Sequence, residues 1–154
     1  MQTLLQYRQA VIHEAEKCLG MGEHPPASNR GELPDAANTF AGAPLGSPWC
    51  CAGACLMAHR AGVPNPPRTA STGALVDWGR ENGAIVRDLS LGDFGCVIDH
   101  NSPTGYRHTV IVTGGTPDAL RTIEFNEGNQ VKRWFRKSSE LTGINIYVHV
   151  PAGE

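Results

Sequence analysis

Apolar residues at Leu4, Leu5, Val11, Ile12, Ala15 and Leu19 recur at helical spacing, which predicts a helix over 3–19. Gly20 and Gly22 close it. The segment GEHPPASNRGELPDAANTFAGAPLG (22–46) has no clear period and is rich in Gly, Pro, Ala and Asn. It reads as a long loop with a helical turn at 36–40. Ser47 is a good N-cap and Pro48 suits a first helical position, so a second helix starts there and runs to Gly62. VPNPPR (63–68) is a loop, and STGALVDWGREN (71–82) is a third helix stopped by Asn82 and Gly83.

The period then changes. AIVRDL, FGCVID, RHTVIVTG, LRTIEFN, VKRWFR and INIYVHV are short β-branched runs separated by turn residues, and each reads as a strand. No helical pattern lies between them, so the sheet is expected to be antiparallel. Helices first and a meander afterwards give an α+β fold. No internal repeat, low-complexity stretch or linker interrupts it, so residues 1–154 are taken as a single domain.

Composition narrows the function classes. The 154 residues are 40% hydrophobic and 18% charged, as in ordinary globular chains. A net charge of −2, with VKRWFRK (131–137) as the longest basic run, gives no footprint for nucleic acid or a membrane surface. No apolar stretch approaches membrane-spanning length. Charges run through the first twenty residues, unlike a signal peptide, so the protein is expected to be made in the cytoplasm. Cys18, Cys50, Cys51, Cys55 and Cys96 include no CxxC pair, and the six histidines form no HExxH. A zinc site is therefore not expected, and no metal or cofactor is implied.

The stretch SPWCCAGA (47–54) carries the first candidate chemistry. Cys50 falls in the first turn of its helix, where partial positive charge and unpaired N–H groups favour a thiolate. Its own N–H is placed to help bind an oxyanion. Cys51 lies about 100° further round. It shares a face with Cys55, Ala54 and Ala58, a packing role. Gly53 leaves room beside Cys50.

A nucleophilic cysteine needs a base, and the base needs an orienting acceptor. His108 opens a strand with Val110 and Val112 on its face. TGGTPDAL (113–120) is a turn sequence, and centring it near Thr116 pairs residues whose numbers sum to about 232. Glu124 then stands opposite His108, and Asn126 lies one same-face step away. Either can orient the ring, and Glu127 and Asn129 form a second candidate pair. His100, His13, His59 and His149 compete less well, from a loop, two helix ends and the rim of the last strand.

The ordered motifs GMGEHPPASNRG, GSPWCCAG, LGDFGCVI, GYRHTVIV and TIEFNEGN resemble the cysteine, histidine-dependent amidohydrolases/peptidases, the CHAP group of the papain-like NlpC superfamily. The resemblance spans roughly residues 15–150. It implies a papain-like fold, with N-terminal helices packed on a C-terminal antiparallel sheet. It also implies Cys50 as nucleophile, His108 as base, and Glu124 or Asn126 as the residue orienting it. Glu23 and the Asn29-Arg30-Gly31 turn match an upstream motif expected to shape the cleft wall. Cys51, Thr109-Val110 and Phe125 depart from the family pattern, where small residues are usual. The implied substrate is the peptide part of peptidoglycan, cut as an endolysin does after lysis or as an antibacterial effector does after specialised secretion. An effector would have an immunity protein as partner. Two other classes fit the same residues: a peptide- or wall-binding module without catalysis, and a deamidase or acyl transferase acting on proteins.

Overall fold

Four helices precede a six-stranded antiparallel sheet in the computed structural model, which describes residues 2–152. Helix α1 spans Leu4–Lys17, α2 Glu32–Ala41, α3 Cys50–Arg60 and α4 Thr72–Glu81. Strands β1 (Ile85–Val86), β2 (Phe94–Ile98), β3 (Tyr106–Thr116), β4 (Ala119–Glu127), β5 (Gln130–Arg136) and β6 (Leu141–Ile144) follow. Their spatial order is β1-β6-β2-β3-β4-β5, with every pair antiparallel. The chain is thus α+β, as its patterning indicates. Among the described residues no helix is long and apolar enough to cross a membrane.

Four local expectations change. Leu4 and Leu5 are 46% and 52% exposed, and α1 buries Val11 and Ala15. Thr3 and Gln6 cap this helix reciprocally. The helical turn expected at 36–40 is a ten-residue helix, α2. Pro34 falls in its first turn, where the missing N–H has no intrahelical role. Leu33, Pro34, Ala37 and Asn38 form the buried face, and Glu32 and Asp35 complement the positive helix start. The last expected strand, over 144–150, is not one: β6 ends at Ile144 and the chain turns, burying the adjacent Ile146 and Tyr147. Finally, α3 begins at Cys50 rather than at Pro48. The Ser47 hydroxyl donates to the Pro44 carbonyl at 2.6 Å instead of capping. The helical ladder starts with the Gly53 N–H on the Trp49 carbonyl at 2.8 Å.

Helix α3 is the centre of the molecule. Residues 51–58 are all buried, because α1 and α2 cover one side and β3 and β4 the other. The small-residue stripe of Cys51, Ala54, Cys55 and Ala58 is therefore one part of a helix buried all round. Gly53 leaves no space beside Cys50. Its missing side chain admits Phe125 of β4, since a Cβ there would stand 2.7 Å from the ring. Phe125 in turn packs edge-on against the buried Trp49, with ring centres 6.2 Å apart. A second, smaller core of Val97, Val110, Val112, Leu120 and Leu141 lies elsewhere on the sheet.

Gly53→Ala should therefore lower stability by about 1–3 kcal/mol, despite alanine's better helix propensity. Pairing it with Phe125→Leu should recover part of the loss. Urea unfolding of the single and double variants measures both, and a fully stable Gly53→Ala would contradict the packing described.

Candidate active site

Trp49 fixes the start of α3 from inside the core. Its indole N–H donates to Glu23 Oε2 at 2.9 Å, and Glu23 Oε1 accepts the Asn29 N–H at 3.0 Å. One buried carboxylate thus ties the loop after α1 to the residue preceding Cys50. The Asn29 amide extends this link by donating to the Gly46 carbonyl at 3.2 Å. With Trp49 held, Cys50 becomes the first residue of the helix and stays half-buried, while the other four cysteines are buried.

A split between β3 and β4 receives the sulfur. The last ladder pair at this end is Val110 with Glu124. The Val112 N–H points toward β2, bonding the Asp93 carbonyl at 2.9 Å. Successive residues alternate sides, so the Thr109 N–H points toward β4. There β4 has bulged away: its register with β5 shifts between Glu124 and Glu127, and Asn126 has φ +58°. The freed Thr109 N–H and the Cys51 N–H both help to lower the pKa of the Cys50 thiol.

His108 fills the space between sulfur and carboxylate. It is 6% exposed, and its Nε2 lies 3.0 Å from Glu124 Oε1. The expected register is off by two, because Glu124 stands opposite Val110 and not His108. The hairpin turn is centred beyond Thr116, with Thr116 opposite Ala119. Glu124 still reaches the ring, diagonally, because a shift of two preserves the face. Asn126 does not join them. As the bulge residue it turns aside, and its amide reaches Asn29 Oδ1 at 3.4 Å. Glu127 Oε2 lies 3.6 Å from His108 Nε2, while Asn129 sits at the turn and lends its carbonyl to the Glu23 N–H at 3.1 Å. His13, His59, His100 and His149 are exposed, away from this cluster.

Glu124 has no exposed surface, so its charge must be met by donors. Besides His108 it accepts Arg136 Nη2 at 2.6 Å and Nε at 3.0 Å, and the Thr122 hydroxyl at 2.6 Å. Burial alone would raise its pKa, but these donors bring it down to about 2. An ionised carboxylate only accepts, so His108 Nε2 carries a hydrogen and Nδ1 is left to the thiol. Burial works against the charged imidazole, yet Cys50 and Glu124 together raise His108 to about 9. Burial likewise pushes Cys50 up, and His108 with the two backbone N–H groups pulls it below the ordinary thiol value. The opposite holds next door: a hydrogen bond to Cys55, then burial, raises Cys51 well above that value.

No family model, curated protein or solved structure matches this chain.

The geometry stands by itself: a half-buried thiol favoured as thiolate, an imidazole favoured as imidazolium, and a buried carboxylate that fixes the ring. Arg136, Thr122 and Thr109 were not singled out by sequence reasoning. Arg136 carried a readable signal, because a turn at Gly128-Asn129 brings it beside Leu120, on the Glu124 face of β4. Donor atoms of His108, Glu124 and Glu127 lie within 4.8 Å of one another. Arg136 and Thr122 already occupy Glu124, and Arg136 also lies 3.6 Å from Glu127, so this donor set suits an ionic network rather than a cation.

Alkylation of Cys50 by iodoacetamide should rise with pH through an inflection below the usual thiol value. In His108→Ala the lowering partner is gone while burial remains, so the inflection should move above that value. Glu124→Gln removes one of the two influences that raise His108. The pH at which the imidazolium is lost should then fall below about 9, read from the histidine ring resonances by NMR. An unchanged inflection in His108→Ala would dismantle the pair.

Proposed function

We propose that this chain is a papain-like cysteine hydrolase of the CHAP type, cleaving an amide bond in the peptide part of peptidoglycan. The observation that carries the reading is the Cys50–His108–Glu124 row, with the imidazole held by the buried carboxylate, the thiol lowered and the imidazole raised. The motif order and the Trp-Cys at a helix start support the family, and the resemblance supplies the substrate class.

The chemistry follows from the arrangement. The Cys50 thiolate attacks the amide carbon, and the carbonyl oxygen becomes an oxyanion. The Thr109 and Cys51 N–H groups serve the sulfur. The Cys50 N–H, first in the helix and without an intrahelical partner, serves the oxyanion. His108 gives its proton to the leaving nitrogen, and the C–N bond breaks to leave a thioester. The neutral imidazole then takes a proton from water, which attacks the thioester and releases the acid. Glu124 stays ionised throughout and holds the ring in one tautomer. Arg136 and Thr122 are positioning residues acting through Glu124.

Cys50→Ala should reduce release of soluble wall fragments from purified peptidoglycan by on the order of 10³-fold or more. Cys51→Ala should keep most of the activity, since that thiol is held protonated in the core. Mass spectrometry of the products identifies the bond from the new amine and acid ends. Equal loss in the two variants, both folded, would refute the assignment of the nucleophile. Products without a new amine, or ammonia released from a protein glutamine, would move the reading to another reaction of the same dyad.

A further inference from the structure

The sheet face that carries Glu124 does not end at β4. Across to β5, Glu124 stands opposite Lys132 and Thr122 opposite Trp134. Directly opposed residues of neighbouring strands share a face, so Lys132 and Trp134 extend the face that holds Glu124. β5 is the edge strand, and there the face meets solvent: Trp134 is 47% exposed and Lys132 half-buried. The Lys132 ammonium lies 5.1 Å from the centre of the Trp134 ring. A Cβ placed on Gly128 would stand 3.2 Å from the same ammonium, so the lysine leans over the turn that follows Glu127.

The other cations of the strand are engaged. Arg133 pairs with Glu16 at 3.0 Å and Arg136 with Glu124. Lys132 forms no ion pair among the described residues and rests on the indole. A free ammonium beside an open aromatic face thus stands one strand out from the acid that orients His108.

Building on the hydrolase reading, we infer that Lys132 and Trp134 form the subsite for the leaving-amine segment, and that this segment is an acidic peptide. The direction comes from the reaction. The sulfur keeps the acyl half, and His108 hands its proton to the departing nitrogen, so the leaving half lies on the His108 side. His108, Glu124 and Lys132 step outward across β3, β4 and β5. Strands are about 4.8 Å apart, so Lys132 stands roughly 10 Å from the histidine strand, a span of about three extended residues. The chemistry comes from the charge. A carboxylate answers the unpaired ammonium, and the indole takes the aliphatic part of the same segment.

Calorimetry with Cys50→Ser, which binds without turnover, tests this. The probe is L-alanyl-γ-D-glutamyl-meso-diaminopimelate, as free acid and with its carboxyl groups amidated. The free acid should bind roughly fivefold tighter. Lys132→Gln in the same background should weaken the acid form down to the amidated one and leave the latter unchanged. Trp134→Ala should weaken both forms, and Trp134→Phe should restore them. Equal affinity for the two forms, equal loss of both in Lys132→Gln, or no binding at millimolar peptide would overturn the subsite. A neutral chitin disaccharide that needs Trp134 while the peptide does not would overturn it too, making the platform a glycan site. Iodoacetamide labelling of the unsubstituted chain separates the two levels. A slow Cys50 removes the hydrolase reading, whereas a fast Cys50 without acid-selective binding removes the subsite alone.

Discussion

The carboxylate of Glu124 is the constraint around which the site is built. It is a full charge with no contact with water, and such a group survives only when every lone pair is met. Three side chains from three strands meet it: His108 from β3, Thr122 from β4 itself and Arg136 from β5. Each of those strands is thereby fixed in register at the same point. The fixed ring of the imidazole follows from meeting the burial of that one acid, and its raised pKa comes from Cys50 and Glu124 together.

The thiol of Cys50 is positioned from the other side of the same strand. Phe125 follows Glu124 in sequence and points to the opposite face, where it fills the gap left by Gly53 and braces Trp49. Two consecutive residues of β4 therefore place the imidazole and the thiol, one through charge and one through packing. Glu23 completes the placement by holding the indole of Trp49 from the loop side. The bulge that follows at Asn126 has its own consequence. It parts β4 from β3 and frees the Thr109 N–H, one of the groups that lower the Cys50 thiol.

What the sequence disclosed follows the physics of each signal. Face alternation has a period of two, so an error of two residues in the hairpin register still put Glu124 on the His108 side. The same alternation misplaced Asn126, because a bulge breaks the period and a left-handed asparagine leaves only a weak trace in composition. Helix α2 was hidden by proline and glycine that sit at its start and end, where they are tolerated. The apolar alternation of residues 144–150 looked like a strand but serves a turn that buries neighbours, Ile146 and Tyr147. Arg136 was read as one member of a basic run. Its role depends on which cation of that run faces inward, and that is set by the partner strand.

Phe125, Cys51 and Thr109, which set this chain apart from the pattern its motifs resemble, are all fully buried. A glycine at 125 would leave the space over Gly53 empty and remove the edge contact with Trp49, so the phenylalanine and Gly53 are matched to each other. Cys51, where a small residue is usual, is buried against Cys55, which keeps it protonated and chemically quiet one position from a favoured thiolate. Thr109 does two things. Its N–H serves the sulfur, and its hydroxyl bonds Thr72 of α4 at 2.9 Å, tying the start of that helix to the strand of His108. All three act through packing or backbone and hydroxyl hydrogen bonds, outside the row of thiol, imidazole and carboxylate.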